Sequence, residues 1–254
     1  MKLRATWGKV GNSKITGRRF AYLATIQGRY NYTFGQSSEQ NFNGLEIGEE
    51  AVDVSWETAY KWNAGLDLNT LDNALSLHLD FFHDFREGIF LSRGDLPWYV
   101  GMTNMPLGNL GKVKNKGFEI SADYKKQFDD NWFLSVMGNV SFNRNEVVDN
   151  DVRYAYPWLD VRGQRVGQRY GYIAEKLFES DEEVAKSAYQ SGDTRAGDIK
   201  YKDLNADGKI DQYDKAPIGW GTVPEIMYGF GFSLSYKGWS LSAMFQGAGH
   251  VDVH

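Results

Sequence analysis

Apolar and polar residues alternate along this chain in seven separate stretches. Alternation at every second position marks a β-strand whose two faces meet different surroundings. From Tyr60, the residues Tyr60, Trp62, Ala64, Leu66 and Leu68 share one face, while Lys61, Asn63, Gly65, Asp67 and Asn69 share the other. From Leu75, the set Leu75, Leu77, Leu79 and Phe81 opposes Ser76, His78, Asp80 and Phe82. The pattern returns with Phe118, Ile120, Ala122 and Tyr124, and again with Trp132, Leu134, Val136, Val140 and Phe142. Near the end, Phe230, Phe232, Leu234 and Tyr236 are followed by Trp239, Leu241, Ala243 and Phe245. A shorter stretch, Leu3 to Lys9, makes the seventh. Each is close to the roughly ten residues that a tilted membrane strand requires.

The connections alternate in length as strongly as the strands do in polarity. Asn69 to Asn73, Gln127 to Asn131 and Lys237-Gly238 read as tight turns, whereas residues 10–58, 87–114 and 144–226 read as long loops. Loops of that length are uncommon inside compact soluble domains. Short turns at one end and long loops at the other are the habit of outer-membrane barrels. The expected fold is therefore all-β, a section of a large antiparallel transmembrane β-barrel with long extracellular loops. A secreted, calcium-dependent carbohydrate-binding β-sandwich shares the alternation and is the alternative. Tyr60, Trp62, Tyr124, Trp132, Tyr236 and Trp239 fall near strand ends, where an interfacial aromatic girdle belongs.

Composition narrows the function. Basic residues number 28 and acidic residues 33, spread along the chain, so there is no basic patch suited to nucleic acid. Without cysteine there is no disulfide, thiolate metal site or cysteine nucleophile. No stretch approaches the roughly 20 apolar residues of a membrane-spanning helix, a test that β-strands escape. Met1-Lys2-Leu3-Arg4 carries no signal-peptide core, which leaves an intracellular protein or a missing N-terminus. Nucleophile elbow, glycine-rich phosphate loop and zinc-binding helix are all lacking, and no enzyme is expected. The histidines His78, His83, His250 and His254 form no ligand pattern, and His78 and His83 fall on opposite faces of one strand.

One loop carries recognisable chemistry. Asp203, Asn205, Asp207, Asp211 and Asp214 occupy positions one, three, five, nine and twelve of a twelve-residue run, with Gly208 at six. A hard cation takes six to eight oxygens, and this spacing wraps them around one point, with the Lys209 carbonyl supplying position seven. The expectation is a structural calcium ion held by Asp203, Asn205, Asp207, Lys209, Asp211 and Asp214. Aspartate at position twelve resembles the loops of dockerins. The other reading is a solvated acidic turn. In the same long loop Tyr154, Tyr156 and Trp158 are candidates for stacking on sugar rings, or for packing the loop against itself.

Several runs resemble the SusC/RagA family of TonB-linked outer-membrane transporters. Trp56-Glu57-Thr58 with Lys61, Asn63, Gly65 and Asp67 is similar to one barrel strand of that family, and Asn115-Lys116-Gly117-Phe118-Glu119-Ile120 to a later one. Gly197-Asp198-Ile199-Lys200-Tyr201-Lys202-Asp203-Leu204-Asn205-Ala206-Asp207-Gly208-Lys209-Ile210-Asp211, then Ile218-Gly219 and Pro224-Glu225, resembles its long-loop signature. Tyr228-Gly229-Phe230-Gly231 and Trp239-Ser240-Leu241 resemble the next hairpin, and Leu3-Arg4-Ala5 with Gly8, Gly11 and Asn12 an earlier strand. Ala196 and Trp220-Gly221-Thr222 depart from the pattern, both in loops. The resemblance implies about seven strands of a barrel of about 22, with the plug domain and N-terminal region outside this stretch. It further implies import of a large solute, an oligosaccharide or a peptide, across the outer membrane of a Gram-negative bacterium. The implied partners are a SusD-like surface lipoprotein, the TonB complex and outer-membrane lipid.

Overall fold

The computed structural model describes residues 1–13, 23–35, 40–49, 54–97, 99, 105–190 and 192–252. In chain order the strands are β1 (Lys2–Asn12), β2 (Thr25–Phe34), β3 (Gln40–Glu49), β4 (Glu57–Thr70), β5 (Leu75–Ser92), β6 (Leu107–Gln127) and β7 (Trp132–Asp149). There follow β8 (Arg169–Tyr172), β9 (Ala174–Leu177), the short helix α1 (Asp181–Lys186), β10 (Ile199–Tyr201), β11 (Lys215–Ile218), β12 (Ile226–Tyr236) and β13 (Trp239–Gly249). Seven of these form one antiparallel sheet in the order β1-β4-β5-β6-β7-β12-β13. They are the seven strands that the alternation predicts. The sheet is open, since β1 and β13 each have one edge with no partner strand among the described residues.

Register turns the alternating positions into continuous rows. Leu79 lies between Leu66 on β4 and Ile120 on β6, and Ile120 faces Val140 on β7, which faces Tyr228 on β12. Two residues on, Phe81, Phe118 and Phe142 stand side by side with ring centroids 6.3 and 5.9 Å apart. At the short-turn end, Trp132 and Tyr236 touch at 4.2 Å, beside Trp239. No second layer covers this face among the described residues: Trp7 is 72% and Trp239 82% exposed. A soluble sandwich would bury such a surface against a second sheet. Here it is the lipid face.

The turns account for the tight end. Lys237 and Gly238 both have positive φ, 41° and 85°, the two-residue turn that matches strand twist. Leu71, Asp72 and Asn73 also lie in the left-handed region, closing β4 onto β5.

The long end differs from expectation in extent. Pairing of β5 with β6 continues past Glu87 to Ser92↔Leu107, and β7 runs to Asp149. The stretch read as loop 87–114 is thus largely strand, with the connection reduced to 93–106. At about 3.3 Å per residue, the 21 residues of β6 reach well beyond a bilayer, which about ten can cross. Above the membrane both faces are wet, so alternation fades while the ladder persists. The first long connection carries the β2–β3 hairpin, with Phe34 packed on Tyr32 and Phe42. The third, 150–225, folds into two small sheets, β8 with β11 and β9 with β10, plus α1. The buried apolar side chains among the described residues are only Ala59, Phe178 and Ala216. Phe178 anchors the outer loop, bonded through its backbone to Asp198 and Gly197.

Candidate functional site

Two places gather polar side chains: the lumen face of the wall and the outer loop above it. On the lumen face, Arg4 of β1 reaches over β4 to Asp80 of β5. Its Nη2 donates to Asp80 Oδ2 at 2.8 Å and to Asp67 Oδ1 at 3.0 Å, and His78 Nδ1 lies 3.0 Å from the same Asp67 oxygen. Gly65 sits directly between Arg4 and Asp80 in the register. A Cβ there would lie 2.6 Å from Asp80 Oδ1 and 2.8 Å from Arg4 Nη2, so a larger residue would push the two side-chain tips aside. Further up, Lys61 Nζ is 3.5 Å from Asp84 Oδ2, and Arg86 Nη1 is 3.1 Å from Glu57 Oε1. Gly117 serves Phe82 similarly, because a Cβ on it would strike the Phe142 carbonyl and the Phe82 ring. The motif residues Lys61, Gly65, Asp67 and Gly117 thus all take part in interstrand contacts on the lumen face.

Toward β12 and β13 the same face becomes neutral. Asn139, Ser141 and Asn143 on β7 give way to Ser233 and Ser235 on β12 and Ser240, Ser242 and Gln246 on β13. Ser242 Oγ donates to Ser233 Oγ at 3.2 Å, and Ser235 and Ser240 hydroxyls are 3.1 Å apart. A groove of about 520 Å³ opens among Thr6, Lys61, Asn63, Phe82, Asp84 and Asn115.

The outer loop is held together by carboxylates accepting main-chain N–H groups. Asp203 Oδ2 accepts from Gly208 at 2.8 Å, while Asn205 and Asp207 accept from the backbone two residues on, at 3.1 and 2.9 Å. Asp211 accepts from Tyr213 at 2.8 Å in the same fashion. These are Asx turns, the local habit of short oxygen side chains. Asp214 is fully buried, and its two oxygens accept from Leu204 at 2.8 Å and Asp211 at 2.9 Å. Together with Asp211 it forms a reciprocal capping box on a single 3-10 turn. Among the described residues no three carboxylate or imidazole groups converge as a metal cluster. Asp203 Oδ1, by contrast, is buried without a hydrogen-bond partner. The loop thus offers an orphaned carboxylate oxygen at its head, and at its foot a carboxylate already engaged by the backbone.

The candidate aromatics lie against this loop. Tyr156 and Trp158 stack on each other at 4.7 Å, Tyr156 meets Tyr213 edge-on at 5.8 Å, and Trp158 Nε1 donates to the Tyr213 carbonyl at 2.6 Å. Tyr154 accepts from Asn150 Nδ2 at 2.5 Å and sits apart from the pair.

Sequence reasoning missed the hub at the loop's base. Glu225, 5% exposed, accepts from the Nε and Nη2 of Arg165, lies 3.0 Å from His250 Nδ1 and 3.9 Å from Arg144 Nε. Trp220 stacks on His250 at 3.7 Å, and Arg165 covers the Trp220 ring at 4.4 Å. Burial disfavours the Glu225 anion, but the hydrogen bonds from Arg165 and His250, with the Arg165 and Arg144 charges, outweigh it and hold its carboxyl below the ordinary value. Pro224-Glu225 belonged to a recognisable run, yet nothing in a run of letters shows two arginines and a histidine arriving from elsewhere. His78 and His83 lie on opposite faces as expected; His254 lies outside the described residues.

A two-faced wall of long staggered strands, under a folded outer loop, is the frame against which known proteins can be compared. The model of a family described as TonB dependent receptor-like, beta-barrel, matches residues 1–252. The chain belongs to that family. It is 28% identical to TonB-dependent receptor P3 of Formosa agariphila, over 96% of this chain and 25% of that protein. It is 25% identical to TonB-dependent receptor SusC of Bacteroides thetaiotaomicron, over 95% of this chain and 24% of that one. Among solved structures, the RagAB peptide importer in its open-open state superimposes with a TM-score of 0.64 at 21% identity, covering 97% of this chain and 25% of that chain. The chain thus spans about a quarter of the length of these relatives. Its place is the outer membrane of a Gram-negative bacterium, and the sandwich alternative is set aside by both fold and family.

Proposed function

We propose that this wall section serves a TonB-driven transporter that imports an oligosaccharide, with a SusD-like lipoprotein closing over the outer loops. The observation that carries the solute class is the state of the lumen charges. Arg4, Asp67, Asp80, Lys61, Asp84, Arg86 and Glu57 pair with one another, so the charges left open on this face include those of β6, Glu119, Asp123 and Lys125. From β7 to β13 the wall offers amides and hydroxyls instead, Asn139, Ser141, Asn143, Ser233 and Ser242, and this neutral stretch is what matches a polyhydroxylated solute. A peptide is the second reading, favoured by the likeness to the RagAB peptide importer. Uptake of fluorescent neutral oligosaccharides and of oligopeptides, by cells making the full transporter, separates the two. Accumulation of oligosaccharide that requires both TonB and the lipoprotein is expected; accumulation of peptide alone would overturn the glycan reading.

The loop Asp203–Asp214 is proposed to bind calcium as a structural ion. The buried, unpartnered Asp203 Oδ1 supports this, as do the oxygens of Asn205, Asp207 and Asp211 and the Lys209 carbonyl, a donor set suited to a hard cation. Asp214 anchors the loop from below by accepting the Leu204 and Asp211 amides, and each of its oxygens keeps a lone pair for the cation. The stacked Tyr156 and Trp158 buttress it, and sugar contact is proposed for whatever ring surface they and the separate Tyr154 leave open. Isothermal titration of the full transporter with calcium, against Asp203→Ala and Asp207→Ala, decides the matter. Equal and negligible uptake by all three at millimolar calcium would rule the site out.

A further inference from the structure

On the lipid face, the register sets Trp7, Trp62, His83, Lys116 and Arg144 in one row across β1, β4, β5, β6 and β7. This row lies one step outward of Phe81, Phe118 and Phe142, toward the long-loop end, and shares their face because residues two apart on a strand point the same way. His83 is stacked on Trp62 at 5.8 Å. Lys116 and Arg144 are direct cross-strand partners, and like charges placed opposite each other, with Cβ atoms about 5 Å apart, destabilise a sheet. The next pair outward, Lys114 with Glu146, answers the same situation internally with an ion pair of 2.7 Å. Lys116 has no such partner among the described residues and is exposed. Arg144 has only a 3.9 Å approach to Glu225, whose carboxylate Arg165 and His250 already hold.

We infer that Lys116 and Arg144 bind the phosphate of an outer-leaflet lipid headgroup. An anion between them converts a repulsive pair into two charge-assisted contacts. The row begins where the apolar band ends, so a lipid whose acyl chains lie along Leu79, Phe81, Ile120 and Phe118 brings its phosphate to this height without leaving the membrane. Trp62 and Trp7 flank the site on the side of β1 and β4, where amphipathic rings mark the headgroup level. The inference rests on the outer-membrane placement and on neither the solute nor the calcium reading.

Native mass spectrometry tests it on the full transporter in detergent micelles containing either a diphosphorylated lipid A or the same lipid with its phosphates removed. Wild type should retain the phosphorylated lipid selectively, and the K116Q/R144Q variant should retain about tenfold less of it. Retention should fall as sodium chloride is raised from low to high concentration, as expected for partly exposed charges. A K116R/R144K variant, which keeps both charges, should retain the lipid as wild type does and shows whether the doubly neutral form fails merely by misfolding. Equal retention of the two lipids by wild type, or undiminished retention by a folded K116Q/R144Q, overturns the inference. So does displacement of the lipid by millimolar inorganic phosphate, which would make this a site for free anions.

Discussion

In the seven-stranded wall the backbone ladder holds the side chains in place, whereas in segment 150–225 the side chains hold the backbone. Strands β4 to β7 pair over 13 or more residues each, and their side chains project into lipid or lumen. In the outer loop the longest strands have four residues, and Asp160, Asp203, Asn205, Asp207, Asp211 and Asp214 each cap a main-chain donor. The wall can dispense with a core because lipid serves as its apolar partner. The loop, with water around it, depends on Phe178, Ala216, Asp214 and Glu225 for nearly all of its interior. One chain thus contains two kinds of stability, and disturbances should divide between them.

The largest effect is expected in the wall. Gly117→Val drives a branched side chain into the Phe142 carbonyl and the Phe82 ring, and neither a ladder backbone nor a ring wedged over a strand can give way. The full transporter should lose its folded, heat-modifiable form on electrophoresis; normal mobility would show that β6 and β7 can part locally. Next comes the sidedness of a single strand pair. Ile120→Arg on the lipid face should cost about 2–4 kcal/mol in folding into lipid bilayers, while Ser121→Arg on the lumen face should cost far less. Equal penalties in denaturant titrations would mean that the two faces are not distinct.

The loop should then fail alone. Asp214→Ala leaves the half-buried amides of Leu204 and Asp211 without acceptors, a loss of about 1–3 kcal/mol confined to the loop. Limited proteolysis should cut within 150–225 while the wall stays protected, and cleavage spread over both regions would contradict their independence. The smallest effect is pH. Glu183 is held below its usual carboxyl range by the Glu179 amide, then by Lys176 and Lys200, and Glu225 by its cations against the opposing pull of burial. Carboxyls lowered in the folded state lend stability above their unfolded pKa, and that stability is lost as pH falls through the folded value. Loop protection in hydrogen exchange should therefore hold at neutral pH and weaken below about 4.5, the ordinary glutamate value, with the wall unchanged. The reverse order, with wall amides exchanging first on acidification, would refute it.

The same contrast governs what could be read from letters alone. The wall was legible wherever one face meets lipid, since Leu75 to Phe81 or Trp239 to Phe245 must alternate or lose their apolar surroundings. It was illegible from Glu87 to Ser92 and from Leu107 to Lys114, where both faces meet water and pairing needs no pattern. The outer loop showed its acidic spacing, because Asx turns are local and leave a local trace. Strands of three or four residues such as β9 and β10 leave none, and the meeting of Arg165, Trp220, Glu225 and His250 depends on chain returns that no window spans. Nor could the spacing show that Asp214 would also accept the Leu204 and Asp211 amides.

Arg4 offers a consequence for assembly. Because its guanidinium passes over Gly65 to Asp80, the contact forms only when three strands share one register. Slipping β4 by a single residue would put Ala64 or Leu66 in the path and turn the apolar face inward. Slipping it by two would set Asn63 or Asp67 beneath the guanidinium in place of Gly65. The arginine therefore ties three strands to one alignment: a mispaired β1–β4–β5 unit would leave its charge without the Asp80 contact.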